Sequence, residues 1–79
     1  MKLFCNGDPL GEVEHVEWKE ETDEGGVVTF MVGFEVDWDD KRHGFLELVD
    51  GETRYMIPRI RKIDEGTAGD FVSADYKPL

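Results

Sequence analysis

From Val28 to Trp38 every second residue is large and apolar: Val28, Phe30, Val32, Phe34, Val36 and Trp38. The intervening positions, with Val27 ahead of them, are Thr29, Met31, Gly33, Glu35 and Asp37. Successive side chains of a strand point to opposite faces, so this period of two predicts one long β-strand over Val27–Trp38 with a single buried face. At ~3.3 Å per residue such a strand spans about 36–40 Å. A chain of 79 residues folds into a body only about 30 Å across. The strand must therefore bend, and Gly33 is the expected place, because a missing side chain lets neighbours close in.

The rest of the chain reads as shorter strands between turns. Lys2–Cys5 leads into two turn signals, Asn6-Gly7 and Asp8-Pro9-Leu10-Gly11. Glu12–Lys19 is strand-like, but Val13 has the opposite parity to Val16 and Trp18, which predicts a bulge near Glu14-His15. Glu20–Gly26 reads as a connecting loop in which Gly25-Gly26 supplies positive φ. Asp39–Gly44 reads as a second loop. Phe45–Val49 and Glu52–Ile57 flank Asp50-Gly51, a strong hairpin signal, and Pro58 is expected to end the second arm. Ile60 and Ile63, three apart, suit one short helical turn over 59–63 or an edge strand resumed after a bulge. Asp70–Tyr76 closes the chain as a strand with Val72, Ala74 and Tyr76 on one side. No internal repeat is visible.

These parts predict an all-β protein, a single domain over residues 1–79. Its form is a small antiparallel barrel or strongly bent sheet of five to six strands in near-meander order. Strand, hairpin, Asp-Gly turn, short helical turn and final strand together resemble SH3-like small barrels and, more loosely, Sm-type barrels with their long bent second strand. That resemblance implies a fold and no function.

Composition narrows the setting. Cys5 is the only cysteine, so no intramolecular disulfide forms, and a lone thiol fits a reducing, cytoplasmic compartment. The apolar run Leu3-Phe4-Cys5 is too short for a signal-peptide core, and no stretch is long enough to span a bilayer. The net charge is −10, and all of it lies in the first half. Residues 1–40 hold twelve acids against Lys2 and Lys19, whereas residues 41–79 hold seven acids and seven bases. A field of that sign repels nucleic acid and anionic membrane and attracts basic partners.

Candidate chemistry is sparse. There is no glycine-rich phosphate loop and one serine, Ser73. Cys5 and His15 are a conceivable nucleophile and base, but a lone cysteine in a strand packs as a small hydrophobe. Asp37, Asp39, Asp40 and His43 lie within seven residues. They lack the spacing of a calcium loop, and Lys41 and Arg42 among them oppose a cation. Cys5, His15 and His43 come from separate elements without zinc-ligand spacing. The expectation is a protein without catalytic activity, metal or cofactor. Arg54, Tyr55, Arg59, Arg61 and Lys62 form a basic stretch with an interleaved aromatic, the composition of a single-strand nucleic-acid groove. The acidic first half argues against that use, and pairing with Glu52, Asp64 or Glu65 is a simpler account.

The strongest feature is acidic. Glu12, Glu14, Glu17, Glu20, Glu21, Asp23 and Glu24 place seven carboxylates in thirteen residues. On a strand, alternate positions set charges about 6–7 Å apart, an array that resembles a nucleic-acid backbone electrostatically. Trp18, Val27 and Met31 are the expected apolar anchors beside it. The sequence therefore points to an interaction module, monomeric or homodimeric, that presents an acidic surface to a basic protein. The most concrete form is an inhibitor or immunity-type protein, of the sort a phage or a toxin–immunity system encodes, that blocks a nucleic-acid-binding protein. The alternative is an assembly subunit that oligomerises through sheet edges.

Overall fold

The alternation starting at Val28 does build a barrel wall, and its inward residues Val28, Phe30 and Val32 are each at most 1% exposed. In the computed structural model, which describes all 79 residues, they belong to β3 (Gly25–Val32), the third of six strands. The others are β1 (Lys2–Cys5), β2 (Asp8–Thr22), β4 (Leu46–Asp50), β5 (Thr53–Gly66) and β6 (Gly69–Pro78), with one short helix, α1 (Trp38–Lys41), between β3 and β4. All pairings are antiparallel, and the strands close a barrel in the order β1-β2-β3-β6-β5-β4. No helix is long and apolar enough to cross a membrane.

β3 ends at Val32, six residues short of the expected Trp38, because its partners run out. On one side Val32 faces Asp70, and β6 begins only one residue earlier, at Gly69. On the other side Val32 faces Val13, while the preceding residues of β2 pair with β1. Gly33 is no bend inside a strand: the space around its missing side chain is open, and the chain simply leaves the sheet there. The apolar residues that follow reach the core without being in a strand. The Phe34 ring lies 2.6 Å from where a Cβ on Gly11 would stand, so Gly11 is the seat of that ring. Trp38 is buried, and its Nε1–H donates to Asp70 Oδ2 at 2.9 Å. Phe34, Val36 and Trp38 all pack against the core cluster, beside the start of β6.

The long bent strands are β2 and β5. Fifteen residues of β2 would reach about 50 Å if straight, yet the longest dimension of the molecule is 34 Å. β2 pairs with β1 as far as Glu12 and with β3 from Val13 onward. It turns that corner with two irregularities, one between Glu14 and Glu17, where His15 has φ +53°, and one between Lys19 and Thr22, where Glu20 has φ +52°. The bulge expected near Glu14-His15 is therefore present. The loop expected at Glu20–Gly26 shrinks to the turn Asp23-Glu24. β5 bends likewise, with register shifts between Met56 and Arg59 and between Ile60 and Lys62. Pro58 sits inside the first shift, where a missing N–H is tolerated, so it does not end the strand. Of the two readings of 59–63, the structure has the strand resumed after a bulge and not the helical turn. Arg61 falls in the second shift, which resets the parity and lets both Ile60 and Ile63 pack on the core.

The order is not a single near-meander but two three-stranded meanders. The ring maps onto itself when β1, β2 and β3 are exchanged with β4, β5 and β6. The two-residue turns Asn6-Gly7 and Asp23-Glu24 correspond to Gly51-Glu52 and Thr67-Ala68. Leu3 and Leu48 stand at equal spacing before their turns and pair with each other. Thr29 and Ser73 stand at equal spacing after theirs and also pair. An approximate two-fold axis thus passes through both pairs, although the sequence carries no visible repeat.

One pair of substitutions tests this packing. A Cβ on Gly25 would fall on the Tyr76 carbonyl oxygen, whereas one on Gly33 meets nothing. Gly25→Ala is expected to lower the unfolding free energy by more than about 1 kcal/mol and Gly33→Ala to change it by less than about 0.5 kcal/mol, measured by urea denaturation.

Candidate functional site

Four strands, β2, β3, β6 and β5, form the wall opposite the β1–β4 pair, and its outer face is built in rows set by register. One row reads Glu14, Met31, Phe71, Asp64. The next reads Glu17, Thr29, Ser73, Lys62, and the third reads Lys19, Val27, Asp75, Arg59. Thr29 and Ser73 are small, so the middle row is low. Above it lies an open groove of about 530 Å³, with Met31 and Phe71 along one side and Glu17 and Lys62 on opposite margins.

The acidic residues divide between regions. Glu14 and Glu17 occupy neighbouring rows of this wall, because the bulge at His15 takes up the odd residue between them. Glu12 pairs with Lys2 of β1 and binds the N-terminal ammonium at 3.2 Å, so it belongs to the other side of the corner. Glu20, Glu21, Asp23 and Glu24 are all exposed at the β2–β3 tip. The carboxylates follow a bent path, not the straight, even array expected. Glu17 lies 4.0 Å from Lys19, while Glu14 and the four tip acids have no cation within ion-pair distance.

The three expected anchors fare differently. Val27 has the outward parity but is only 7% exposed. Trp18 points inward, where its ring lies 4.6 Å from that of Tyr55 and 4.8 Å from that of Tyr76, so it fills the barrel and does not stand beside the carboxylates. Met31 alone presents surface in the groove. Its neighbour Phe71, 52% exposed, is the anchor that sequence reasoning missed. The signal was available in part: Phe71 is the large residue of the final strand whose parity opposes Val72, Ala74 and Tyr76.

The basic stretch is largely engaged. Arg59 Nε and Arg61 Nε both bind Asp75, at 3.2 and 2.6 Å, Lys62 lies 3.6 Å from Asp64, and Arg54 reaches the buried Glu47 at 3.4 Å. Tyr55 is committed to the aromatic trio. Cys5 lies inside the barrel and His15 outside it, so they do not meet. The loop acids are structural: Asp37 accepts from the Asp40 N–H as the cap of α1, and Asp40 pairs with Lys41. No three His, Cys, Asp or Glu side chains converge in a set suited to a metal ion. Comparison with known proteins finds no family, no curated protein and no solved structure that matches this chain.

Burial raises the Tyr76 phenol above its usual value of 10.0, helped by the nearby Glu21 carboxylate and Tyr55 phenol. The folded state then holds this proton more tightly than the unfolded chain does. Its contribution to stability is complete below pH about 10 and is lost as pH rises through the folded-state value. Urea midpoints are expected to fall with pH above that point, and Tyr76→Phe is expected to flatten the fall relative to its own midpoint at neutral pH.

Proposed function

We propose that this protein is a non-enzymatic interaction module that presents the acidic face of β2 and the β2–β3 tip to a basic protein. In its most concrete form it is an inhibitor that occupies the nucleic-acid-binding site of that partner. The observation that carries this reading is that Glu14, Glu20, Glu21, Asp23 and Glu24 stand exposed on one strand and its turn with no cation of the chain's own within ion-pair distance. Exposed carboxylates outside ion-pair distance add little to the stability of the fold. Their like-charge repulsion is instead a cost to the compact state. Such a field steers a basic partner and makes association fast and salt-sensitive.

The two other readings have less support. Assembly through sheet edges has the second parts of β2 and β5 to use, since each pairs on one side only beyond Val13 and Ile57, but those stretches are bulged and rich in charged residues, which blunt edge pairing. Nucleic-acid binding through residues 54–62 needs free cations and a free aromatic, whereas Arg54, Arg59, Arg61 and Lys62 each face a carboxylate and Tyr55 is packed.

The immobilised chain is expected to retain a basic protein from a lysate of its own organism at ~0.15 M salt and to release it near ~1 M, where the Debye length falls to ~3 Å. Excess duplex DNA is expected to displace the retained protein. The triple reversal Glu14→Lys, Glu17→Lys and Glu24→Lys is expected to weaken retention about a hundredfold, while Glu52→Lys with Glu65→Lys leaves it within a few-fold. Retention that survives the triple reversal, or that DNA does not compete, sinks the reading.

A further inference from the structure

Beyond Val13, β2 has a strand on one side only: β1 reaches no further than Lys2, opposite Glu12, and β3 alone accompanies β2 to Thr22. From Glu14 to Glu21 the N–H and C=O groups that alternate residues turn away from β3 meet no other backbone of the chain. We infer that this free edge takes up an extended, Lys- or Arg-rich segment of the basic partner as an added strand. The inference rests on the acidic-surface reading and adds to it the element of the partner that is recognised and the groups that hold it.

Two stretches of edge are free, and charge separates them. Beyond Ile57, β5 pairs with β6 alone, and there Arg59, Arg61 and Lys62 stand against Asp64 and Glu65, so a basic strand is repelled over the first part. The β2 edge from Glu14 to Thr22 holds Glu14, Glu17, Glu20 and Glu21 against Lys19 alone. Like charges along an edge keep out a second copy of that edge. They do not keep out a strand of opposite charge, which cross-strand pairs of opposite sign favour. Main-chain bonds to the edge then supply affinity, and alternate side chains select the partner.

The two bulges of β2 shape the seat. Between the irregularities at His15 and Glu20, Glu17-Trp18-Lys19 keeps register with Thr29, Val28 and Val27, and this run is the stretch a new strand follows. Residues directly opposite each other on neighbouring strands share a face. A lysine opposite Glu17 therefore lies on the outer face, where the only cation near Glu17 is Lys19 at 4.0 Å. That contact is exposed and contributes little, so a cation of the partner competes with it readily. The residue opposite Trp18 points inward. Trp18 and Tyr55 are both half-buried with ring centroids 4.6 Å apart, so an apolar residue at that position has aromatic surface to cover.

The test uses the intact 15N-labelled chain and a synthetic peptide of about seven residues, the length of an ordinary strand, that alternates lysine with valine. Saturable shift changes are expected at the backbone amides of Val16–Lys19 and at the Trp18 indole, while the indole of Trp38, held by Asp70, stays in place. Two further peptides carry N-methyl groups on alternate residues, one on the odd positions and one on the even. Both keep every side chain and charge, but only one keeps the N–H groups that face β2. That one is expected to bind within a few-fold of the parent peptide, and the other at least about tenfold more weakly. Glu17→Lys is expected to weaken the parent peptide about tenfold. Glu17 is exposed, so the circular dichroism of the variant should match that of the parent chain. Absence of saturable shifts up to ~1 mM peptide overturns the inference. So do equal affinities of the two methylated peptides, or shifts along Arg59–Gly66 in place of β2. Failure here leaves the acidic-surface reading intact if the triple charge reversal still weakens capture of the basic protein. If that reversal has no effect, it is the acidic-surface reading that falls.

Discussion

Everything in this fold depends on two strands that are longer than the body they enclose. β2 and β5, of fifteen and fourteen residues, cannot run straight through a molecule whose longest dimension is 34 Å. Each pairs with one neighbour over its first part and another over its second, and each changes partner near a register shift. Bulges increase local twist and bend a strand, and here they turn two flat meanders into a closed ring. Closure matters for a chain of 79 residues with no disulfide, because it gives β1, β3, β4 and β6 a partner on both sides and wraps one continuous core.

The same bulges decided what was legible in the sequence. Where a strand stays in register, as at Val28, Phe30 and Val32, parity reads directly as burial. Where a bulge intervenes, inward residues fall three apart: Val13 and Val16 in β2, and Ile57, Ile60 and Ile63 in β5. Three is also the spacing of a helical turn, and over so short a window the two are indistinguishable. The ambiguity at 59–63 between a helical turn and a strand resumed after a bulge, and the false strand end at Pro58, share that origin. The over-long strand from Val27 to Trp38 has another. Phe34, Val36 and Trp38 pack on the core from a loop and a short helix, and burial alone does not require a ladder. The two-fold exchange of meanders was invisible because it preserves turn positions and inward parity, not residue identity.

The acidic residues were easier to read, since an exposed charge needs no register to be recognised. Their grouping needed more. Only the pairing of β2 with β3 shows that Glu14 and Glu17 occupy neighbouring rows, and only the pairing of β3 with β6 sets Phe71 beside Met31. Those strands are separated by forty residues of chain at that contact, beyond the reach of any local pattern. Trp18 was misplaced for a related reason. Its inward direction follows from which side of the His15 bulge it lies on, and the sequence leaves that side undetermined.

The two-fold axis through Thr29 and Ser73 makes the character of the wall explicit. Exchanging the halves carries Glu14 onto Arg59, Glu17 onto Lys62 and Lys19 onto Asp64, so each charge lands on its opposite. The apolar positions are likewise unequal: Phe71 is carried onto the buried Val27, and Met31 onto Asp75. The backbone is therefore nearly symmetric while its decoration is antisymmetric. One end of the wall is carboxylate and apolar, and the other is cationic and already neutralised in part by Asp75. A partner turned end for end would set its cations against Lys19 and Arg59 and find Asp75 where an apolar contact was needed. Like charges brought together in that way are a means of excluding wrong poses as effective as any favourable contact. A fold that offers two equivalent backbone orientations thus offers a binding partner only one.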